Sequence, residues 1–540
     1  MSWRAPLAEI RFQLEHVLDY RGQVAPLPGY EHADLDTLLE LLGEAAALVE
    51  GVIAPLDPVG DAEGSRLLPD GTVRTPTGWR EAYRALADGG WIMLDAAEED
   101  GGPGLPHVAQ AVLDELLCGA CVGFAPVSTL SHGAYHALRA HGDEGQRGRY
   151  LPRLATGEWA GTMCLTEAQA GSDLGLLTTR AEPAGDGSYR VTGQKIFITY
   201  GDHDLTENIV HLVLARLPDA PTGTRGISLL AVPKVLADGT PNSLAVVSLE
   251  HKMGFHASPT CVLAFEGAWG ELVGPAHTGM RSMFTMMNAA RLGVGIQGLG
   301  IAEAAAQAAE AYAETRLQGR APGAAARPEL PADPIAHHPD VRRMLLRMRA
   351  QIAPGRALAL RTAAAMDIAE RHPDPARRQW ADDRAALLTP VVKSWLTDLS
   401  WEAAGDAIQV LGGHGYIVES GVERYARDAR ITAIWEGTNA IQALDLVRRK
   451  LVIDDGRAFR TFLADGRALA PTLRGRGVDD LVDAAEGALD LLEETAGAVL
   501  AKADPEEAAA AATDLMRVFQ LAAGALLWAR MAGGAAAAGD

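Results

Sequence analysis

The sequence predicts an α+β multidomain protein, with a helical region, an antiparallel β region, a second helical region and a helical extension in that order. Three observations carry the prediction. The 540 residues are too many for one hydrophobic core, and length alone suggests about three or four domains. Apolar residues recur at three- and four-residue spacing toward both ends, while the middle holds short β-branched and aromatic runs between Gly, Pro, Asp and Asn clusters. Helices and strands come in blocks and do not alternate, which points to separate domains and not to a βαβ sheet.

Residues 1–157 read as an N-terminal helical domain. Leu35 to Ile53 carries Leu38, Leu39, Leu41, Leu42, Ala46 and Val49 at helical spacing, and Trp79 to Leu94 and His107 to Val122 are similar. A turn at Glu98-Glu99-Asp100-Gly101-Gly102-Pro103-Gly104 separates the last two. Residues 158–275 read as a β domain, a sheet or barrel, with strand runs beginning at Tyr189, Lys195, Asn208, Gly226 and Thr260. In residues 276–450 helices return. Pro339 suits a first helical turn, and Thr389-Pro390 reads as the start of a helix that places Val392, Trp395, Leu396, Leu399 and Ala403 on one face. Residues 451–540 form an Ala/Leu-rich extension, helical over Leu481 to Lys502 and Ala508 to Met531, with the stretch after Gly533 expected to fray.

Composition narrows the function classes. The 48% hydrophobic and 22% charged content is that of a soluble globular protein. A formal net charge of -22, from 70 acidic and 48 basic residues, argues against nucleic acid as the main partner. Cys118, Cys121, Cys164 and Cys261 are the only cysteines. Cys118 and Cys121 make a lone C-x-x-C that reads as two small residues on a helix, and so few cysteines suit a reducing compartment. No h-region follows Met1, and no apolar run approaches a membrane span, so a cytoplasmic protein without a membrane partner is expected. His132 and His136 could share a helix face as metal ligands, but no third ligand type is near in sequence and no metal is expected.

Chemistry concentrates at Ile431-Thr432-Ala433-Ile434-Trp435-Glu436-Gly437-Thr438-Asn439. An apolar segment meets a break, and Asn439 is a good N-cap type for a helix over Ala440 to Lys450. A carboxylate held among apolar groups is raised toward the pKa of a general base; a surface carboxylate favoured by the following helix dipole is the other reading of the spacing. Gly293-Val294-Gly295-Ile296-Gln297-Gly298 matches a dinucleotide fingerprint in letters only. Helical sequence and not a strand precedes it, so the glycines read as close helix packing. Met163-Cys164-Leu165-Thr166-Glu167-Ala168-Gln169-Ala170-Gly171-Ser172-Asp173 enters as a strand and leaves as a turn that could present N–H groups and hydroxyls to an anion.

Trp435 to Gln442 resembles the catalytic segment of acyl-CoA dehydrogenases, and the remaining motifs follow in that family's order over about residues 90–450. The resemblance implies an N-terminal helical domain, a central antiparallel β-barrel, a C-terminal four-helix bundle and the helical extension. It implies that Glu436 removes the α-proton of an acyl-CoA thioester while FAD takes hydride from the β-carbon. Met163, Leu165 and Thr166 would then meet the flavin, and Ser172 the FAD phosphate or the acyl-CoA. Ala168 stands where the family has Pro, a change expected to loosen the turn. Gly193 to Thr199 is similar to the next flavin segment; Phe197 stands where Trp is frequent, and Ile198 and Thr199 follow it. Asn288 and Arg291 match an Asp-x-x-Arg that faces substrate, with Asn in place of Asp, and Gly437 would also lie at the substrate. Arg316, with Gln409, Gly412 and Gly413, matches groups that reach a neighbouring subunit's FAD, and Thr438 and Asn439 are placed at the cofactor. The resemblance implies a trans-2-enoyl-CoA product, electron-transfer flavoprotein as acceptor, and a homodimer or homotetramer. An acyl-CoA oxidase and a non-catalytic flavin scaffold are the alternatives. His203 to His211 and the extension resemble the longer bacterial branch that includes 3-methylmercaptopropionyl-CoA dehydrogenases, in which one further helix is expected. A short- or medium-chain acyl group is the other substrate expectation.

Overall fold

The structure, a computed structural model, describes residues 3–538 except 324 and 503, and of Asn288 the backbone alone. The chain forms two compact units. The first comprises Met1–Glu50, Pro106–Ala120 and Arg291–Asp540; the second comprises Gly51–Leu105 and Cys121–Ala290. The N-terminal block therefore contributes to both, because segments far apart in sequence share cores that periodicity alone cannot pair.

The second unit contains the sheet. A small hairpin, β1 (Arg66–Leu67) and β2 (Val73–Arg74), precedes β3 (Trp159–Cys164), β4 (Arg180–Pro183), β5 (Tyr189–Thr199), β6 (Asn208–Arg216), β7 (Ile227–Pro233), β8 (Leu244–Leu249) and β9 (Thr260–Val273). The pairings run β6–β4–β5–β9–β7 and return to β6, closing a ring, with β3 added to β6 and β8 to β9. Five pairings are antiparallel as expected, but β3 and β4 each meet β6 in parallel. A parallel neighbour needs a long crossover, and for β3 and β6 the intervening chain that carries β4 and β5 supplies it. β6 is buried along all but its last residue and β7 along its whole length, which is why both read as apolar runs and not as alternation. Val191, Ile198, Val213, Leu230 and Phe265 fill the interior. The runs at Tyr189 and Lys195, expected as separate strands, form one strand with a bulge.

The first unit is built on long helices: Gly279–Thr315, counted here from Arg291, then Pro339–Arg371 and Pro375–Leu411. Pro339 occupies the first turn as expected. Pro390 does not begin a helix but lies inside Pro375–Leu411, a correction to the start expected at Thr389-Pro390. Apolar packing on this wholly buried stretch outweighs the single hydrogen bond that proline removes. The Gly-x-Gly motif is a packing device. A Cβ on Gly298 would stand 2.4 Å from the Leu396 carbonyl oxygen, and one on Gly295 2.9 Å from Val392. Fully buried Arg356 pairs with Glu9 at 2.5 Å, Glu115 at 2.7 Å and Glu303 at 2.8 Å, so its charge is compensated inside the core.

The extension belongs to the same unit. Its last helix, Ala512–Ala538, has the length and apolar composition of a membrane span, contrary to the expectation that no run would approach one. Its apolar character has a local use: Phe519 packs 4.9 Å from Phe462, and Trp528 Nε1 donates to the Ala350 carbonyl at 2.9 Å. The helix also continues through Gly533, where fraying was expected, because that glycine lies against Leu473. All four cysteines are buried and free.

Candidate active site

The candidate residues fall into two groups, one on each unit. In the first unit the chain reverses at Trp435-Glu436-Gly437, between helices Glu423–Thr432 and Asn439–Asp445. Glu436 has a φ of 54° and Gly437 one of 84°. A left-handed Glu costs on the order of 1–3 kcal/mol and persists only where its surroundings over-determine it. Here buried Gln442 donates Nε2 to the carbonyls of Glu436 (3.1 Å) and Gly437 (3.2 Å). Lys393, from helix Pro375–Leu411, donates Nζ to the Gly437 carbonyl at 2.9 Å. A Cβ on residue 437 would come within 2.8 Å of Gln442 Nε2, so both the dihedral and the space call for glycine.

The expected N-cap is corrected by one residue. Thr438 caps the helix, its Oγ1 accepting from the Ile441 N–H at 3.3 Å. Asn439 lies inside the first turn with its side chain committed to Pro375–Leu411: Oδ1 accepts from Lys393 Nζ at 2.9 Å, and Nδ2 donates to Asp398 at 2.7 Å. The Asn439 side chain thus braces the reversal, where the resemblance had it at the cofactor.

Burial raises the Glu436 carboxyl to about 7, against the opposing pull of Arg291 and Lys393. Its partial exposure keeps it reachable. Burial lowers the Lys393 ammonium to about 8, while Glu436 and Asp398 act in the other direction. Arg291, nearly buried, places Nη1 3.9 Å from Asp445 Oδ2. The Asn288 side chain lies outside the described residues. A carboxyl poised near neutrality beside two cations is suited to taking a proton from a carbon acid whose anion needs positive surroundings.

In the second unit the two flavin-like segments are tied together. Ile196 N–H donates to the Thr166 carbonyl at 2.9 Å. Lys195 Nζ, fully buried, donates to the Leu165 carbonyl at 2.9 Å and to Glu167 Oε1 at 2.8 Å. Although burial alone would raise it, the charge and hydrogen bond of Lys195, with N–H and hydroxyl donors from Thr178 and Thr179, hold the Glu167 carboxyl down at about 2. The Ala168-Gln169 turn is not loosened: both backbone hydrogen bonds between Glu167 and Ala170 form, at 2.9 and 3.0 Å. Above this pair the β5–β9 register breaks between Lys195 and Ile198. Phe197 has a φ of 60° there and its ring is 58% exposed, whereas Ile198 is buried. An aromatic face held out of a bulge by strained backbone is a ready stacking surface. Met163 and Thr199 are half-buried, Leu165 is buried, and Ser172 is exposed on its turn.

Arg316, Gln409, Gly412 and Gly413 are all exposed in the first unit, and Tyr416, Ile417 and Val418 beside them add 86%, 47% and 70% exposed apolar side chains. In the second unit, His132 Nε2 lies 2.7 Å from Asp95 Oδ2 and 3.0 Å from His136 Nε2. The third group that sequence proximity lacked is thus Asp95, a buried carboxylate hydrogen-bonded to imidazole. Sequence reasoning also missed Lys393, Gln442 and Glu167–Lys195. A lysine within an otherwise apolar helix stretch was the signal available for the first.

Three family models match in chain order: the acyl-CoA dehydrogenase N-terminal domain over residues 68–158, the middle domain over 162–268 and the C-terminal domain over 277–451. A 3-methylmercaptopropionyl-CoA dehydrogenase of Ruegeria pomeroyi is 46% identical over 512 residues, covering 92% of this chain and 86% of the relative. Among solved structures, Caenorhabditis elegans ACDH-11 in complex with C11-CoA aligns with a TM-score of 0.82 at 19% identity, covering 98% of this chain and 88% of that one. A Bacillus anthracis acyl-CoA dehydrogenase complexed with FAD aligns at 0.75 with 22% identity, covering 94% and 83%.

Proposed function

Because the chain belongs to the acyl-CoA dehydrogenase family, we propose that it is an FAD-dependent enzyme that desaturates the Cα–Cβ bond of an acyl-CoA thioester to the trans-2-enoyl-CoA. The observation that carries this reading is Glu436, held in left-handed backbone by Gln442 and Lys393, with a carboxyl raised to about 7.

The residues of the second unit fit a flavin. An exposed Phe197 ring supplies a stacking face, and the buried Glu167–Lys195 pair fixes the two segments that carry Leu165, Thr166 and Thr199. Bound there, FAD supplies the two-electron chemistry that accepts hydride from the substrate β-carbon. The chain's own residues do the rest. The ionised Glu436 carboxylate takes the α-proton. The Glu436 N–H makes no hydrogen bond among the described residues, which leaves it available to polarise the thioester carbonyl as charge develops there. Arg291 and Lys393 lower the cost of negative charge near the base, and Gln442 and Asn439 hold the base-bearing turn in place.

We assign 3-methylmercaptopropionyl-CoA as the first substrate to test, from the relative 46% identical to this chain, with short straight-chain acyl-CoAs next. Electron-transfer flavoprotein is the proposed acceptor and a reducing, cytoplasmic compartment the proposed location, the latter supported by four free thiols. Exposure of Arg316, Gln409, Gly412 and Gly413 supports a homo-oligomer in which they complete a neighbour's cofactor site. The test is an anaerobic titration with a panel of acyl-CoAs, followed by flavin absorbance. Bleaching by one acyl class supports the reaction and names the substrate. A yellow protein bleached by none counts against it, and rapid oxygen consumption during turnover would make the enzyme an oxidase.

A further inference from the structure

Within the first unit, a cavity of about 350 Å³ lies among the second and third long helices, the extension and the N-terminal segment near Leu18. That volume is in the range of small-molecule sites, roughly 300–1,000 Å³. Its charged lining is one-sided: Arg361, Arg377, Arg384 and Arg530 face a single carboxylate, Asp465. In a chain of formal charge -22, this is a local reversal of sign.

Two carboxylates offset it only in part: Asp465 acts on Arg361, and Asp19 on Arg530. Arg384 donates to Asp465 at 2.8 Å, but Trp380 Nε1 donates to the same oxygen at 3.0 Å. Arg361 and Arg530 both donate to one neutral group, the Val17 carbonyl, at 3.1 and 2.6 Å. A carbonyl satisfies hydrogen bonds but supplies no countercharge, so two guanidiniums that converge on it repel each other. Arg377 stacks on Trp380 at 4.3 Å, and Arg384 lies 5.2 Å from the same ring. Burial, reinforced by Arg530 and then Arg384, pushes Arg361 well below the usual arginine range. The four arginines are half-buried, and like charges gathered in a cleft with so little compensation are costly and mark a candidate binding site. The remaining walls, including Leu358, Ile368 and Phe462, are apolar.

We propose that this cavity binds a small organic dianion with an apolar body, of the chemistry of a phosphate monoester: the oxygens meet the Arg361 and Arg530 forks, and the body lies against Phe462 and Ile368. Guanidinium forks match phosphate oxygens two at a time, which the shared Val17 carbonyl cannot do. The proposal does not depend on the acyl-CoA reaction.

The experiment titrates the full-length, FAD-loaded protein at constant ionic strength with phenyl phosphate, inorganic phosphate and benzyl alcohol, by calorimetry and thermal shift. Saturable one-to-one binding of phenyl phosphate with a raised Tm is expected, with weaker binding of inorganic phosphate and none of benzyl alcohol. An Arg361→Met, Arg530→Met double variant is expected to bind phenyl phosphate at least about tenfold more weakly, for the loss of charge-assisted hydrogen bonds. Its Tm without ligand should hold or rise, because the repulsion is gone. Arg530→Lys keeps the charge but not the fork, and should weaken binding while leaving acyl-CoA bleaching of the flavin unchanged; it decides the matter if the double variant does not fold. Failure of phenyl phosphate to saturate the wild type, or the same affinity in Arg530→Lys, would overturn the proposal.

Discussion

Glu436 combines two costs, a left-handed backbone and a raised carboxyl, and its neighbours offset both. Glu436→Gln preserves shape and hydrogen bonding but removes the base. It should keep bound FAD and lose at least about a hundredfold in the rate of flavin reduction; near wild-type reduction would remove the base assignment. The carboxyl acts as a base only when ionised. Since its folded value is about 7, the rate of flavin reduction should fall as pH drops through 7, roughly tenfold per pH unit well below it. Lys393 favours the ionised form, so Lys393→Met should move this limb to higher pH. The same change strips a donor from the Gly437 carbonyl and the Asn439 amide oxygen, at a cost of about 1–3 kcal/mol. A profile that stays in place in Lys393→Met would assign the lysine a packing role alone.

At the scale of elements, the flavin-like face is a bulge in β5 clamped from below by an ion pair. Glu167→Gln leaves the Lys195 ammonium buried without a countercharge, which typically costs 3–5 kcal/mol, roughly. The expected result is protein purified with little FAD, read from the ratio of flavin to protein absorbance. Full occupancy in that variant would show the segments to be held by backbone hydrogen bonds alone. Helix packing offers a second test. Gly298→Val would force a side chain against the Leu396 carbonyl, and overpacking of this kind costs about 1–3 kcal/mol. A lowered Tm with the flavin spectrum intact would mark the glycine motif as structural, whereas selective loss of FAD would reopen a nucleotide role for it.

At the scale of the whole molecule, the extension completes the first unit. Gly524 of its last helix stands against Trp395, Gln520 Nε2 donates to Ser394 Oγ at 3.2 Å, and Arg457 pairs with Asp383 at 2.6 Å. Deleting residues 451–540 uncovers this surface and should yield insoluble protein; a soluble truncated protein with native Tm would make the extension an appendage. The exposed loop at Tyr416 to Val418 predicts self-association. Light scattering should give a mass of at least two chains, and Arg316→Ala should lower FAD occupancy without unfolding. A monomer with full FAD occupancy would overturn the shared-site proposal.

The sequence by itself determined the fold class and singled out Glu436 as the candidate base. Glu436, Gly437 and the flavin-like segments were legible because their chemistry resides in contiguous residues, where turn signals and residue types travel together. Helix and strand blocks were legible because burial imposes periods of 3.6 and 2 on local sequence. Only the tertiary structure decided what supports the Glu436 turn. Lys393, Gln442 and Asn439 act through hydrogen bonds to carbonyls and amides that no periodicity encodes. Only it placed Pro390 inside a helix, because packing on a buried helix outweighs one missing hydrogen bond. It alone set β3 parallel to β6 and gathered Arg361, Arg384 and Arg530 around one cavity from separate helices. Long-range electrostatics and packing depend on distances between segments remote in sequence, and those distances exist only after the chain has folded.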